Sequence, residues 1–252
     1  MSARKETLGR TVGIVVAVCL ACSIVVSTAA VGLRSLQTAN AQLDKQTNVL
    51  EAAGLLDKAA GDIAGTYDEF VEERYVDLES GQYVEVPEDF DMFKYAKDDE
   101  YQVRPKPDTA KVFRHSKVVS VYHIKNEAGD VTRLVLEVYG SGLWNLMYGL
   151  LAVDADGNTV RSLIYYDQKE TPGLGGEVQN PAWKALWDGK KLFKDGDVAI
   201  QLKKNASADN PHTVDALSGA TLTSNGVQAS LDYWLSDRAL GNFLANKPWL
   251  KS

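Results

Sequence analysis

Residues 117–140 read KVVSVYHIKNEAGDVTRLVLEVYG, two runs rich in β-branched and aromatic side chains parted by residues 126–130, which include Gly129. Such side chains favour the pleated surface of a sheet, and a short polar linker holding a glycine favours reversal of the chain. The stretch predicts an antiparallel hairpin. A second hairpin is predicted downstream, 150–153 against 160–166 around the turn DADGN at 154–158, and a fifth short strand at 198–202. Two helices interleave with these strands. One is capped by Asn180, has Pro181 in its first turn, and carries Trp183, Leu186 and Trp187. The other begins near Ser224 or Asn225 and puts Val227, Leu231, Trp234 and Leu235 on one face. The fold class is α+β, a mixed and mostly antiparallel domain.

Upstream the pattern changes. Residues 77–109 are acidic and irregular, with prolines at 87, 105 and 107, as suits a connection crossing a surface. YDEFVEER at 67–74 reads as a short helix. Residues 35–56 read as a helix in which Leu36, Leu43 and Leu50 recur every seven residues, a packing seam. Before it, TVGIVVAVCLACSIVVSTAAVGL at 11–33 carries no charged side chain. As a helix it reaches roughly 34 Å, enough for a hydrocarbon layer of about 30 Å. Arg4, Lys5 and Arg10 precede it, so the basic excess predicts a single-pass anchor with its N-terminus in the cytoplasm. The rival is a cleaved signal peptide ending near Thr28-Ala29-Ala30, but the apolar run is longer than a usual signal core. The expected division is a cytoplasmic N-terminus 1–10, a transmembrane helix 11–33, a juxtamembrane helix 34–65 and an extracytoplasmic domain 66–252.

The 252 residues carry a formal charge of −7, which excludes nucleic acid as an expected partner, because phosphate binding needs a basic face. Both cysteines, Cys19 and Cys22, fall inside the apolar run. The rest of the chain therefore has no disulfide framework, thiol nucleophile or thiolate metal site. In the anchor the pair reads as packing residues, with shared ligation of a metal centre as the alternative. His115, His123 and His212 show no metal-ligand spacing and are expected to be structural or exposed. No metal site and no catalytic residue are expected.

Three stretches invite chemistry. ETPGLGG at 170–176 is a tight loop after a strand, where backbone amides can approach a flat or anionic ligand. It matches neither a Walker motif nor a dinucleotide fingerprint, and alone it reads as a strand-to-helix turn. GSGLWNLMYG at 140–149 brackets apolar residues that read as core, or as a wall for a planar cofactor. DALSGATLTSNG at 215–226 sets Thr221 just before a helix, where free N–H groups and partial positive charge favour an anion. No G-x-S-x-G elbow supports a hydrolase. A helix-entry turn without a ligand remains open on these residues alone.

Together these stretches resemble a known family. SGAT at 218–221 looks like the flavinylation motif of FMN-binding domains whose FMN is attached through its phosphate to the last threonine. With ETPGLGGE at 170–177, GLWNLMYG at 142–149, LDKQTNVLEAAGL at 43–55, SGATLTSNGV at 218–227 and GNFL at 241–244, the chain is similar to the C subunits of bacterial sodium-translocating NADH:quinone oxidoreductases. The G subunits of Rnf electron-transport complexes share SGAT and a TPGLG loop and are the alternative. The resemblance implies FMN on Thr221 in a phosphodiester, installed by a separate flavin transferase. It implies that Asp215 serves that transferase and that Ser218, Gly219 and Ala220 complete the signature. Glu170, Thr171, Pro172, Gly173, Leu174 and Gly175, with Leu143 and Trp144, would lie about the isoalloxazine, while Thr223 and Ser224 would bond the phosphate or ribityl chain. It implies an electron relay in the bacterial inner membrane, the FMN domain periplasmic, with the other subunits of the pump as partners.

Overall fold

The structure, a computed structural model, describes residues 8–250. Arg4, Lys5 and most of the expected cytoplasmic segment 1–10 lie outside the described residues. The chain forms two compact units, one through Lys45 and one from Gln46 onward.

The described residues of the first unit are helical throughout. Helix α1 runs Leu8–Ala53, 46 residues without a break, so the juxtamembrane helix is its direct continuation. No glycine or proline falls between residues 34 and 53 to end it. Every described residue up to Lys45 is exposed, including the whole apolar stretch. A helix apolar on all sides and covered by no protein fits a membrane anchor.

The last residues of α1 belong to the second unit. The expected helix through 65 instead closes at Gly54, whose φ of 70° permits the left-handed turn, with Leu55 N–H donating to Leu50 O at 2.8 Å. Val49, Ala52 and Ala53 pack on Tyr122, Ile124, Val135, Leu150, Ala152 and Ile164. Of the leucine seam only Leu50 is buried there; Leu36 and Leu43 are exposed. The helix end is also held by polar contacts: Ser162 Oγ donates to Ala52 O at 2.7 Å, Arg133 donates to Ala53 O, and Lys184 pairs with Glu51 at 2.7 Å. Cationic groups at a helix C-terminus meet its partial negative charge.

The core of the second unit is a six-stranded antiparallel sheet in the order β2-β1-β3-β4-β5-β6. Its strands are β1 (Val71–Asp77), β2 (Gln82–Tyr83), β3 (Val118–Lys125), β4 (Val131–Ser141), β5 (Leu146–Asp154) and β6 (Val160–Asp167). The two expected hairpins are β3–β4 and β5–β6. The expected helix at 67–74 is corrected: α2 (Ile63–Phe70) stops at Phe70, and the next residues form β1, paired along its length with β3. The expected strand at 198–202 is split. Asp197–Val198 pairs with Phe193–Lys194, while β7 (Gln201–Lys203) runs parallel to β8 (Thr213–Asp215), outside the main sheet.

The other face of the sheet carries the larger core, with α3 (Thr221–Trp234) crossing β4. Val227, Leu231, Trp234 and Leu235 are all buried, and Trp234 Nε1 donates to Tyr139 O at 2.7 Å. Gly226 allows this crossing. A Cβ there would collide with the Ser141 carbonyl and stand 3.2 Å from Gly142 Cα. Helix propensity alone favours Gly226→Ala by about 1 kcal/mol, but overpacking against backbone costs about 1–3 kcal/mol. The expected outcome is a net loss of stability in urea unfolding.

The buried histidines brace the same core. His115 Nδ1 donates to Ser116 O at 2.8 Å, so its Nε2 accepts from Tyr233 OH at 2.5 Å. His123 Nε2 bonds Tyr83 OH at 2.7 Å, and burial pushes its pKa down to about 4; nearby Glu72 opposes the shift, Arg74 and Lys125 add to it. A histidine buried neutral contributes stability that is fully present above its unfolded pKa near 6.5 and lost as pH falls towards 4. The expected loss over that window is up to about 3 kcal/mol. Urea midpoints against pH should show it, and His123→Gln should flatten the slope.

Candidate functional site

Three loops meet at one end of the sheet. β4 ends where β5 begins, with Ser141 paired to Leu146, and Asp167 at the end of β6 pairs with Tyr148. The loop 142–145 joins β4 to β5, the loop 168–174 leaves β6, and the second turn of α3 packs at Gly226 on Ser141 and Gly142. The stretches GLWN, ETPGLG and SGAT, distant in sequence, are therefore neighbours.

Glu170 ties them together. Its side chain is 5% exposed. Oε1 accepts from the backbone N–H of Leu143 and of Trp144, each at 3.0 Å, and Oε2 accepts from Thr223 Oγ1 at 2.5 Å. Two glycines make room for it. A Cβ on Gly142 or on Gly175 would lie 2.6 Å from a Glu170 carboxylate oxygen. Gly175, expected to open backbone to a ligand, is instead buried against Glu170 and Thr223.

Thr171 extends the link, accepting from Trp144 Nε1 at 3.1 Å. Its carbonyl accepts from Leu174 N and Gly176 N, with Gly173 at φ 75° completing the turn. Leu174 reaches the SGAT turn, its Cδ2 standing 3.4 Å from a Cβ built on Gly219, itself at φ 73°. Thr171, Pro172 and Gly173 are exposed. Around this turn stand four apolar side chains open to solvent: Trp144 (68%), Leu222 (60%), Leu143 (49%) and Leu174 (46%). Trp144 is hydrogen-bonded at both its amide and its indole, so its exposed ring has a defined orientation.

α3 begins at Thr221, three residues before the earlier of the two expected starts. Its N-cap is Ala220, which offers no side-chain acceptor. The first helical bond is Ser224 N to Ala220 O at 3.0 Å, leaving the N–H groups of Thr221, Leu222 and Thr223 without a partner among the described residues. A self-sufficient helix start would place Ser, Thr, Asp or Asn where Ala220 stands. Uncapped amides beside the exposed Thr221 hydroxyl form a place for an anion. Ser218 and Gly219 are exposed beside it, and Ala220 is buried.

Thr223 and Ser224 depart from expectation. Both are buried, with Thr223 bonded to Glu170 and Ser224 Oγ accepting from Leu217 N at 3.0 Å. Both hydroxyls are thus engaged by protein groups of the turn and the loop. Asp215 lies exposed at the end of β8; its carbonyl accepts from Trp183 Nε1 at 2.9 Å and its Oδ1 from Ala206 N at 3.3 Å.

Sequence reading missed the brace made by Glu170 and the exposed Leu222. It also missed a cleft of about 680 Å³ lined by Phe93, Phe113, Tyr139, Tyr148, Tyr166 and Leu146, with Lys97, Arg104 and Arg114 among its charged residues. Burial, with the Glu137 carboxylate next, holds the Tyr166 phenol protonated. Among the described residues no cluster of His, Cys, Asp or Glu is placed to hold a metal ion. Ser224→Ala orphans the buried Leu217 N–H, which costs about 1–3 kcal/mol. Thermal unfolding of that variant should show a lowered midpoint.

Comparison with known proteins adds three findings. Residues 142–236 match the family model described as FMN-binding domain. The C subunit of the Na(+)-translocating NADH-quinone reductase of Vibrio parahaemolyticus is 46% identical over 256 residues, covering 97% of both chains, and that of Yersinia pestis 44% over 246 residues, covering 95% of this chain and 92% of the relative. Among solved structures, Shewanella oneidensis NqrC superposes with a TM-score of 0.77 at 31% identity, covering 82% of this chain and 99% of the other.

Proposed function

The chain belongs to the family of C subunits of the Na(+)-translocating NADH-quinone reductase, and from that membership and the geometry of the site we propose that Thr221 carries FMN through its phosphate. As a member of that family it is a flavoprotein subunit of an oxidoreductase complex, and it works among the other subunits of that complex. An Rnf-type subunit is not favoured, since the relatives matched along nearly the whole chain are C subunits.

The residues present fit the cofactor. The observation that carries the reading is an exposed threonine hydroxyl at the first position of a helix whose amides are uncapped. The N–H groups of Thr221, Leu222 and Thr223 would hold the phosphate, and the partial positive charge of the helix start would offset its negative charge. Leu143, Trp144, Leu174 and Leu222 offer an apolar platform of the kind a planar ring covers. Bound there, FMN supplies the electron-accepting and electron-donating chemistry that no side chain of this site provides.

A covalent anchor suits an open site. The platform is exposed and shallow, so noncovalent contacts alone would hold a cofactor weakly. Attachment at Thr221 replaces bimolecular binding by a fixed local concentration. Thr221 is an anchor and takes no part in turnover as acid, base or nucleophile. A flavin transferase installs the group, with Asp215, Ser218, Gly219 and Ala220 exposed to it or shaping the turn it approaches. The excess of Arg4, Lys5 and Arg10 ahead of the anchor supports a cytoplasmic N-terminus, which sets the flavin domain in the periplasm, outside the bacterial inner membrane.

The test is expression of the full chain together with a flavin transferase, followed by denaturing electrophoresis. Wild type should give a fluorescent yellow band, and Thr221→Ala none. Covalent flavin retained in Thr221→Ala overturns the assignment.

A further inference from the structure

Glu170 lies under the platform with both carboxylate oxygens engaged by protein donors. We propose that it is a positioning residue: it fixes the Leu143–Trp144 wall in register with the first turn of α3, and so sets how a flavin on Thr221 lies against Trp144. The proposal deepens the reading of Thr221 as the attachment point and rests on it.

The geometry is specific to a two-ended acceptor. Oε1 holds two consecutive backbone amides of the loop 142–145, and Oε2 holds the hydroxyl of Thr223, two residues after Thr221 on the same helix turn. A loop of four residues between paired strands has few other ways to fix the direction of its amides. Among the described residues, Trp144 is otherwise hydrogen-bonded only at its indole, through Thr171, the residue that follows Glu170. Space is reserved for the carboxylate by Gly142 on one side and Gly175 on the other, where any Cβ would stand 2.6 Å from one of its oxygens. Bonds to a charged acceptor are shorter and stronger than neutral ones, so both sides are held firmly.

The arrangement distinguishes substitutions sharply. Glu170→Gln keeps an oxygen for the two amides and turns its NH2 to Thr223, whose hydroxyl can rotate to accept. Glu170→Ala leaves both amides unpaired and frees the loop. Thr223→Val cuts the helix end and leaves the loop end intact. A residue serving only to fill space would show no such order.

The experiment uses the full-length chain prepared with and without a flavin transferase. In the flavin-free protein, hydrogen exchange across residues 142–147 should be slow in wild type and Glu170→Gln and fast in Glu170→Ala. In the flavin-loaded protein, Glu170→Ala and Thr223→Val should still attach flavin at Thr221. Both should lose visible circular dichroism and gain flavin fluorescence as the ring leaves Trp144, whereas Glu170→Gln should match wild type. Wild-type exchange and dichroism in Glu170→Ala overturn the proposal, as does a Glu170→Gln protein that behaves like Glu170→Ala. Should Glu170→Ala fail to fold, Thr223→Val decides: unchanged dichroism there overturns it. Flavin retained by Thr221→Ala counts against the attachment site alone and leaves the exchange result standing.

Discussion

One buried carboxylate holds the functional end of this protein together. Glu170 accepts from two loop amides and one helix hydroxyl, so a single side chain joins the β4–β5 loop to α3. Hydrogen bonds to a charged group contribute about 1.5–3 kcal/mol each, and a buried carboxylate stripped of them would be costly. The glycines at 142 and 175 follow from it, because both stand where a side chain would strike the carboxylate. So does the placement of Trp144, exposed yet hydrogen-bonded at both its amide and its indole. A flavin attached at Thr221, as proposed above, would lie over a surface whose loop and helix Glu170 joins from below.

The sheet sets where that floor can be. The β4–β5 turn and the exit of β6 fall at the same end, and Gly226 lets the second turn of α3 pass directly over Ser141 and Gly142. The opposite face is closed by the last residues of α1, clamped by Ser162, Arg133 and Lys184. Helix α1 ends at Ala53, so its last residues are part of the second unit's own packing.

What the sequence revealed follows the locality of its causes. The two hairpins were legible because turn, strand and partner lie within a few tens of residues. β1 was not: VEERYVD is rich in charge, and its strand character comes from pairing with β3, more than forty residues on. The start of α3 was placed late, because Thr221, Leu222 and Thr223 are weak helix signals and Ala220 is a poor cap. That mismatch carries information, since an uncapped start leaves amides for a ligand. In the site, the fold brings SGAT together with the platform residues Leu143, Trp144 and Leu174, which their glycine-rich settings had marked out. The hydroxyls of Thr223 and Ser224 turn inward instead, because nearness in sequence says nothing of which face of a helix a side chain takes. Glu170 was grouped with the flavin, although the partners of its carboxylate are protein groups. The aromatic cleft escaped notice because its lining is gathered from residues 93–167.

We place the flavin phosphate on a single oxygen, that of Thr221. Trypsin should release residues 205–238 as one peptide, bounded by Lys204 and Arg238. Mass spectrometry of this peptide from native membranes, with fragmentation to locate the modification, should find FMN on Thr221. An unmodified peptide from membranes that retain the assembled complex, or FMN on Ser218, Thr223 or Ser224 instead, would rule Thr221 out as the attachment point.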